Sequence, residues 1–370
     1  MHFKMDLLKK KARNMQVKNI ALIFLILLGG ITVKAGNKNR IGQAGAQELL
    51  INPWTRSSGL ASSNSASVVG LEAVRLNVSG LAFTNKTEVM FSRKTWVGGS
   101  TSDISINAFG FSQKVGSSGV MGISIMSMGF GDIQITTVDQ PEGGIGTFAP
   151  QFINLGLSFA KEFSNSIYGG LTVRSITQSL ANTSASGVAF DAGIRYVTGP
   201  RDNLKFGIAL RNIGPKMKYE GDGFSTTTNL NGNQFTLAQR TEAFELPSIL
   251  NMGLTYDYYI GDRTDSTGKE IKADHRISGS GTFTSNSFGK DILRVGLEYA
   301  FRELIMVRGG FAYEDGILDN TISSTAFAGP SFGATLQAPL NKNGSVFCID
   351  YSFEPGNPFQ SHGISVRINL

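Results

Sequence analysis

Alternation between large apolar residues and small or polar residues is the feature of this sequence that most restricts its fold. Residues 204–211 read Leu-Lys-Phe-Gly-Ile-Ala-Leu-Arg, and residues 293–301 read Leu-Arg-Val-Gly-Leu-Glu-Tyr-Ala-Phe. In an extended backbone, successive side chains point to opposite faces, so each segment has one apolar face and one mixed face. A tilted strand that crosses a membrane needs about 9–11 residues with this pattern. The alternation therefore predicts an all-β fold, a transmembrane antiparallel β-barrel.

The alternating segments continue to the C-terminus and predict about 14 strands, an even number as is typical of single-chain bacterial barrels. We place them at 88–95, 102–112, 119–130, 151–161, 166–178, 188–198, 204–212, 248–259, 274–284, 291–301, 304–313, 329–338, 345–353 and 362–370. Most of the links between them alternate between tight turns and long loops, with long links expected at 139–150, 179–187, 213–247, 314–328 and 354–361. The charged link 260–273 is long where a short turn is due.

The N-terminus predicts export. Basic residues precede an apolar stretch, 20–31, and Val33-Lys34-Ala35 offers small residues at the cleavage positions. The stretch is shorter than the roughly 20 residues of a membrane-spanning helix, so we interpret 1–35 as a cleavable signal peptide. The mature chain is expected to start near Gly36 and to reside in the outer membrane. We divide it into an N-terminal segment, 36–85, that tucks into the periplasmic mouth or the lumen as a plug, and a barrel, 86–370.

Net charge and composition argue against nucleic-acid binding and against a soluble fold. The net charge of +6 is accounted for by residues 1–35, with six Lys and one Arg against Asp6, so the mature chain is near neutral and has no basic footprint for nucleic acid. Charged residues make up 17% of the chain, with 45 Gly and 25 Phe, whereas soluble proteins average about 25% charged residues. Low charge and high Gly and Phe content favour a barrel in lipid over a secreted β-sandwich.

The mixed faces of the strands carry charges of both signs. In a dry sandwich core each would cost several kcal/mol unless paired, which favours a solvated or salt-bridged lumen. Two interpretations stay open at this point: a lined pathway, or ion pairs that stiffen the barrel interior. The residues are Arg174, Asp191, Arg195, Lys205, Arg211, Asp257, Arg294, Glu298, Arg308, Asp350 and Arg367.

Catalytic and cofactor chemistry finds little support in the sequence. His275 and His362 fall on separate predicted strands, and no Gly-x-Ser-x-Gly elbow precedes a helix. Paired glycines do not open helices, and in strands they more often mark bends, bulges or close backbone approach. We expect no enzyme activity, no cofactor and no metal site. The longest predicted loop, 213–247, holds our candidates for partner or substrate binding, which are Phe224, Phe235, Phe244 and Leu246.

Two short motifs near the N-terminus and one near the C-terminus resemble a known family. Residues 45–61 read Gly-Ala-Gln-Glu-Leu-Leu-Ile-Asn-Pro-Trp-Thr-Arg-Ser-Ser-Gly-Leu-Ala, residues 77–82 read Asn-Val-Ser-Gly-Leu-Ala, and residues 362–365 read His-Gly-Ile-Ser. They are similar to the PorV/PorQ family of Bacteroidetes outer-membrane proteins, whose barrel is of the FadL type. Val78 and Ser79 stand where that family usually has Pro-Ala.

The resemblance implies a part in the type IX secretion system. A PorV-like protein binds the large translocon pore of the outer membrane and exported proteins that bear a C-terminal secretion domain. The second function that we consider is a FadL-type transporter of hydrophobic small molecules. The two differ in the lumen, because a transporter needs an open route whereas a secretion component can be plugged throughout.

Overall fold

The computed structural model describes residues 36–98, 104–231, 233–261, 263–264, 270–271, 273–317, 325, 327–341, 344–356 and 359–370. The signal peptide expected at 1–35 lies outside these residues. Among the residues described, no helix is long and apolar enough to cross a membrane.

Fourteen antiparallel strands form a closed barrel, which confirms the predicted fold class and strand count. Every strand pairs with its neighbours along the chain, and the last strand pairs with the first to close the ring. The strands are β1 (Thr87–Gly98), β2 (Ile104–Val115), β3 (Gly119–Gly129), β4 (Gln151–Ser164), β5 (Ile167–Leu180), β6 (Thr183–Thr198), β7 (Leu204–Ile213), β8 (Ile249–Ile260), β9 (His275–Asn286), β10 (Ile292–Phe301), β11 (Ile305–Glu314), β12 (Gly329–Pro339), β13 (Val346–Pro355) and β14 (Gln360–Asn369).

Minor elements decorate the links. Two-stranded hairpins pair Ile133–Gln134 with Thr147–Phe148, Ser225–Leu230 with Asn233–Ala238, and Arg263–Thr264 with Glu270–Ile271, while Tyr219–Glu220 adds to β6. The helices within the described ranges are one turn of α-helix, Thr55–Ser58, and the 3-10 segments Lys38–Arg40, Gln47–Leu50, Gly70–Arg75, Val78–Phe83 and Asp222–Phe224.

In an antiparallel barrel, successive links lie at opposite ends. Here most of the long links lie at one end and most of the tight turns at the other. We call the end with the links 130–150, 214–248 and 315–328 the loop end, and the end with the links 116–118, 165–166 and 302–304 the turn end. The long link 261–274 lies at the turn end, as its position in the sequence requires. The long loop predicted at 179–187 is wrong, since β5 and β6 meet at Ala181 and Asn182. Ser184 and Ser186 carry no apolar alternation, which hid the start of β6.

Apolar side chains cover the outer face of the barrel. Ile208 on β7 is 56% exposed, whereas its neighbour Ala209 is 2% exposed and faces inward. An apolar surface that encircles a protein is unfavourable in water but not in lipid, so this face is the membrane-contacting one. Outward residues of this kind include Phe91, Phe109, Ile125, Leu157, Val173, Ile194, Phe206, Met252, Leu297, Val307, Phe332, Ile349 and Ile364.

The N-terminal segment, residues 36–86, runs down the inside of the barrel, and we call it the plug. It starts at the loop end, where the Asn37 amide donates to the Asn286 carbonyl at 3.3 Å, and it leads into β1 at the turn end. Buried apolar side chains of the plug pack against inward side chains of the wall, for example Trp54 and Leu71 against Met90. The hydrophobic core therefore lies between the plug and the wall.

The outward position of Ile208 generates a test of the membrane assignment. Arg at Ile208, Ile208→Arg, is expected to destabilise the barrel by about 2–4 kcal/mol, because the site lies midway along β7 and faces the lipid. Unfolding of the barrel in lipid vesicles by denaturant measures this. Ile208→Leu and Thr226→Arg, the latter on the exposed hairpin, are controls that should leave stability unchanged. An effect of Thr226→Arg as large as that of Ile208→Arg would refute the assignment.

Candidate functional site

Inward-facing glycines of the wall form a seat for the plug backbone. At Gly310 on β11, a Cβ atom would lie 2.2 Å from the carbonyl carbon of Leu60, and at Gly253 on β8 it would lie 2.9 Å from the amide nitrogen of Ala66. Real Cβ atoms do not approach other atoms this closely, so only glycine permits the plug to lie where it does. Six strands contribute one such glycine each: Gly170, Gly193, Gly207, Gly253, Gly310 and Gly333. On four more strands a glycine faces plug side chains instead: Gly110, Gly122, Gly296 and Gly363.

Hydroxyl groups of the plug hydrogen-bond to hydroxyl groups of the wall. Ser63 Oγ lies 2.7 Å from Ser280 Oγ on β9, and Thr282 Oγ1 on the same strand donates to the Ser63 carbonyl at 2.6 Å. Ser65 Oγ lies 2.7 Å from Thr282 Oγ1. These bonds satisfy buried polar groups at a short distance between the two backbones, which small side chains make possible.

Wall arginines hold the plug by its carbonyl groups. The plug contains little regular secondary structure, so many of its backbone carbonyls need partners from elsewhere. Buried guanidinium groups supply them as charge-assisted donors, which are stronger than neutral ones. The contacts are Arg174 to the Val74 carbonyl at 3.3 Å, Arg195 to the Val68 carbonyl, and Arg211 to the Leu49 carbonyl at 3.2 Å.

Glu298 on β10 is the centre of an ion-pair cluster that joins the plug to three strands. Its carboxylate lies 3.0 Å from Arg56 of the plug, 2.9 Å from Arg276 of β9 and 3.0 Å from Arg308 of β11. Glu298 is 3% exposed. Arg276 also pairs with Glu303 at 2.6 Å. A carboxylate with three guanidinium partners compensates its own burial, so this cluster fixes the plug to the wall. Arg56, Arg276 and Glu298 also line the smaller of the cavities described below.

Other charges expected in the lumen are paired as well. Arg174 and Asp191 lie 2.7 Å apart across β5 and β6, and Lys205 pairs with Asp257 across β7 and β8. Both interpretations that the sequence left open apply in part, because these residues form ion pairs while Lys205 and Asp257 also line a cavity. Arg367 on β14 is 4% exposed and lines the larger of the cavities described next.

Among the residues that the structure describes, cavities lie between the plug and the wall, and two of them share lining residues. The larger has a volume of about 530 Å³ and lies at the turn end, where Arg201, Glu303 and Gly344 line it. The smaller, of about 180 Å³, lies deeper and shares Arg56, Val69, Asp257 and Arg276 with the larger one. Sites for apolar ligands are lined mainly by apolar side chains with few polar groups. The charged lining of these cavities therefore suits water or ions.

The four predicted binding residues fall into two groups. Leu246 is buried at the loop end with Ala46 and Leu49 of the plug, and Phe244 packs against the same cluster. Phe224 ends the 3-10 segment at the base of the 225–238 hairpin, and Phe235 is 47% exposed on it. The structure thus brings Phe244 and Leu246 to the plug, and it leaves Phe224 and Phe235 on the hairpin.

A chain of hydrogen bonds connects the part of the plug at the loop end to the link 214–248 between β7 and β8. Tyr219 Oη donates to Gln178 Oε1 at 2.6 Å, and Gln178 Nε2 donates to Glu48 Oε2 at 2.9 Å. Burial raises the pKa of Glu48 above the usual glutamate range. At the surface nearby, the hydrogen bond from Arg40 lowers the pKa of Glu245. The link 214–248 is therefore part of the closure of the lumen as well as an exposed loop.

Glycines in strands were expected to mark bends, bulges or close backbone approach. The seat that the inward-facing glycines form for the plug was not predicted. The sequence feature that could have identified it is the face of the strand on which each glycine lies. Gly207, Gly253 and Gly296 fall on the face of their strands that also carries charge, and a glycine there predicts contact with a further chain inside the barrel.

Comparison with known proteins shows likeness of fold only. Neither a protein-family model nor a curated protein matches this sequence. Among solved structures, the CymD monoaromatic hydrocarbon channel has a TM-score of 0.48 at 11% identity, covering 90% of this chain and 97% of that chain. A Pseudomonas aeruginosa FadL homologue has a TM-score of 0.47 at 12% identity, covering 85% and 96%, and the Pseudomonas putida toluene transporter TodX has 0.46 at 12%, covering 82% and 94%.

These neighbours are named as channels and transporters, and what they share with this chain is the barrel fold. No match at the level of sequence supports protein secretion, transport of hydrophobic molecules or PorV/PorQ membership. At these identities and TM-scores the likeness carries no argument about function. The fold itself is a closed 14-stranded barrel with an N-terminal plug, and this architecture is one of outer-membrane proteins.

The glycine seat generates a matched pair of substitutions on β11. Gly310→Val is expected to destabilise the protein by about 3 kcal/mol, the upper end of the usual cost of overpacking, because the new side chain meets the plug backbone. Gly309 faces outward, and its nearest neighbour would lie 3.8 Å from a Cβ atom, so Gly309→Val should be tolerated. The temperature at which the barrel loses its compact mobility on unheated gels measures both. Equal shifts would argue against the seat.

The ion-pair cluster generates a second prediction. Glu298→Gln leaves Arg56, Arg276 and Arg308 without their shared counter-charge, and breaking a buried pair in this way costs about 3–5 kcal/mol. Glu303→Gln removes a more exposed carboxylate with Arg276 as its partner and should cost less. Denaturant unfolding in detergent measures the difference. The cluster does not hold the plug if Glu298→Gln is as stable as the unmodified protein.

Proposed function

We propose that this protein is a non-conducting component of the outer membrane that acts by binding other proteins, as a part of protein secretion. The observation that carries the proposal is the seated plug. Backbone of residues 59–78 lies against glycines on six strands, plug side chains lie against glycines on four more, and wall arginines donate to plug carbonyls. Removing such a segment would break these contacts together, which favours a plug that stays in place.

The wall of the barrel supports the same proposal. Each strand is hydrogen-bonded to both neighbours around the ring. For example, β3 pairs with β4 without interruption over Gly119–Gly129. A lateral exit for a hydrophobic molecule would need a gap between two strands, whereas a hydrogen-bonded ladder joins every neighbouring pair of the strands given above, with register shifts at Thr95/Val97, Glu162/Ser164 and Phe190/Ala192.

The loop end then provides the binding surface. The hairpin formed by Ser225–Leu230 and Asn233–Ala238 projects from the 214–248 link, and Phe235 and Leu237 on it are 47% and 55% exposed. These two side chains are two residues apart in a strand and share one face. Exposed aromatic and aliphatic side chains that share one face of a hairpin are suited to anchor a protein partner.

The partners follow from the resemblance to PorV-like proteins. We propose that the outward apolar face and the loops bind a large translocon barrel in the same membrane, and that the loop end binds exported proteins with a C-terminal secretion domain. The turn end would then face the periplasm and the loop end the cell exterior.

The hairpin provides the test. The Gln239 amide donates to the Phe224 carbonyl at 2.8 Å, so residues 225–238 can be replaced by an Asn-Gly turn without disturbing the base. Phe244 and Leu246 must stay, because they pack on the plug. The replacement should insert into the membrane normally. It should weaken recovery of the translocon barrel or of exported proteins by about tenfold or more, as expected when an anchor of at least about 1.4 kcal/mol is lost.

Matched point variants on the full hairpin sharpen this test. The pair Phe235→Ser and Leu237→Ser should reproduce the loss, whereas the pair Thr227→Ser and Thr236→Ser changes two exposed residues of the same hairpin and should not. Recovery is measured by purification in mild detergent with mass spectrometry, and secretion by the released fraction of a cargo. Undiminished recovery and secretion in the hairpin replacement would refute the proposal.

Transport of hydrophobic small molecules is the second candidate. The observation in its favour is a continuous space: the cavities of about 530 and 180 Å³ share lining residues and reach from the turn end into the barrel, although their charged lining suits water better than an apolar ligand. Uptake of a labelled fatty acid and of toluene by cells with and without the protein separates the two candidates. Uptake that depends on the protein, and that increases in Gly310→Val, would favour a displaceable plug and a transporter.

A further inference from the structure

The start of the plug lies in a tight recess at the loop end. Gly36 N donates to Asp291 Oδ2 at 2.8 Å, and Asp291 belongs to the link 287–291 between β9 and β10. A Cβ atom at Gly36 would lie 2.8 Å from both the Gly289 carbonyl oxygen and Asp291 Oδ1. The recess therefore fits a glycine and presents a carboxylate to its nitrogen.

The residues that follow Gly36 hold this position. The Asn37 amide donates to the Asn286 carbonyl, and the Arg40 guanidinium lies 4.0 Å from the centre of the Phe288 ring. Arg40 also pairs with Glu245 at 3.0 Å. The start of the plug is thus attached to both the β9–β10 link and the β7–β8 link, across the mouth of the barrel.

We propose that the recess at Asp291 is the binding site for the α-ammonium group of the mature N-terminus, so that removal of the signal peptide latches the plug. The proposal rests on cleavage between Ala35 and Gly36, which the sequence predicts, and not on the proposed function. A signal peptidase would hydrolyse the Ala35–Gly36 bond. Water adds to the Ala35 carbonyl carbon, Ala35 leaves as a carboxylate, and Gly36 N becomes an ammonium group.

Cleavage changes the chemistry of a contact whose geometry already exists. Before it, Gly36 N is a neutral amide with one hydrogen to donate. After it, the nitrogen carries a positive charge at neutral pH and three donors, next to a carboxylate. The amide-to-carboxylate bond is already charge-assisted, and cleavage adds an opposite charge and two further donors to it. The neighbouring Lys290 is engaged elsewhere, with the Asp315 carbonyl at 2.8 Å and Glu314 at 3.5 Å.

Processing would therefore determine how tightly the plug is held. A chain that keeps its signal peptide lacks the ion pair, so the start of its plug would be held less tightly in the folded barrel. The mature chain gains the pair and fixes the plug at the loop end. In a chain processed one residue earlier, Gly36 N would remain a neutral amide and the ammonium group would lie one residue away from it.

The test compares thermal stability in three variants of the full-length protein, after intact mass has established where each mature chain begins. Asp291→Asn removes the carboxylate charge. An Ala inserted between Ala35 and Gly36 moves the ammonium by one residue. Each change should lower the midpoint of barrel unfolding by about 2–4 °C, and the combination should lower it no further than the larger single change. Asp222→Asn, on the exposed 222–224 segment, is the control without effect.

A second measurement keeps the test informative when a variant fails to assemble or is cleaved elsewhere. The α-amino group of the folded, unmodified protein should react slowly with an amine-acetylating reagent and rapidly after heat unfolding, with peptide mass spectrometry as the readout. Asp291→Asn should react faster when folded. The proposal is overturned if the mature chain does not begin at Gly36, if the two changes add in full, or if folded and unfolded chains react at the same rate.

Discussion

The close approach between the plug backbone and the barrel wall is the contact on which the rest of the structure depends. Barrels of about eight strands are filled by their own side chains, but a wider ring needs further material inside. Here that material is the backbone of residues 36–86, seated against glycines such as Gly253 and Gly310. Because two backbones come into contact, the side chains between them must be small, and hydroxyl groups supply the hydrogen bonds.

The barrel separates two environments, and its energetics follow from the difference. Outside, apolar side chains such as Ile208 contact lipid, and their exposure costs nothing there. Inside, burial of charge is compensated by pairing, as Glu298 shows with its three arginine partners. The interior is consequently rigid and charged rather than apolar, which is why its cavities suit water better than hydrophobic molecules.

The candidate binding residues show what periodicity and loop length can and cannot find. The loop 213–247 was identified because it is long and bears aromatic residues, and the exposed Phe235 matches that reasoning. Phe244 and Leu246 have the same composition around them but pack against the plug. No local pattern distinguishes these two roles, since the difference lies in contacts with Ala46 and Leu49, almost 200 positions earlier in the chain.

The sequence by itself determined the barrel, its strand count, its outward face and the interior position of the charges. These follow from apolar residues at every second position, a local pattern that does not depend on how the interior is packed. Only the tertiary structure decided which charges pair, which glycines seat the plug and where the plug begins. Arg56 and Glu298 are 242 residues apart, and Gly36 and Asp291 are 255 apart. Contacts over such separations depend on how the ring closes around the N-terminal segment, and that geometry is set by the whole chain at once.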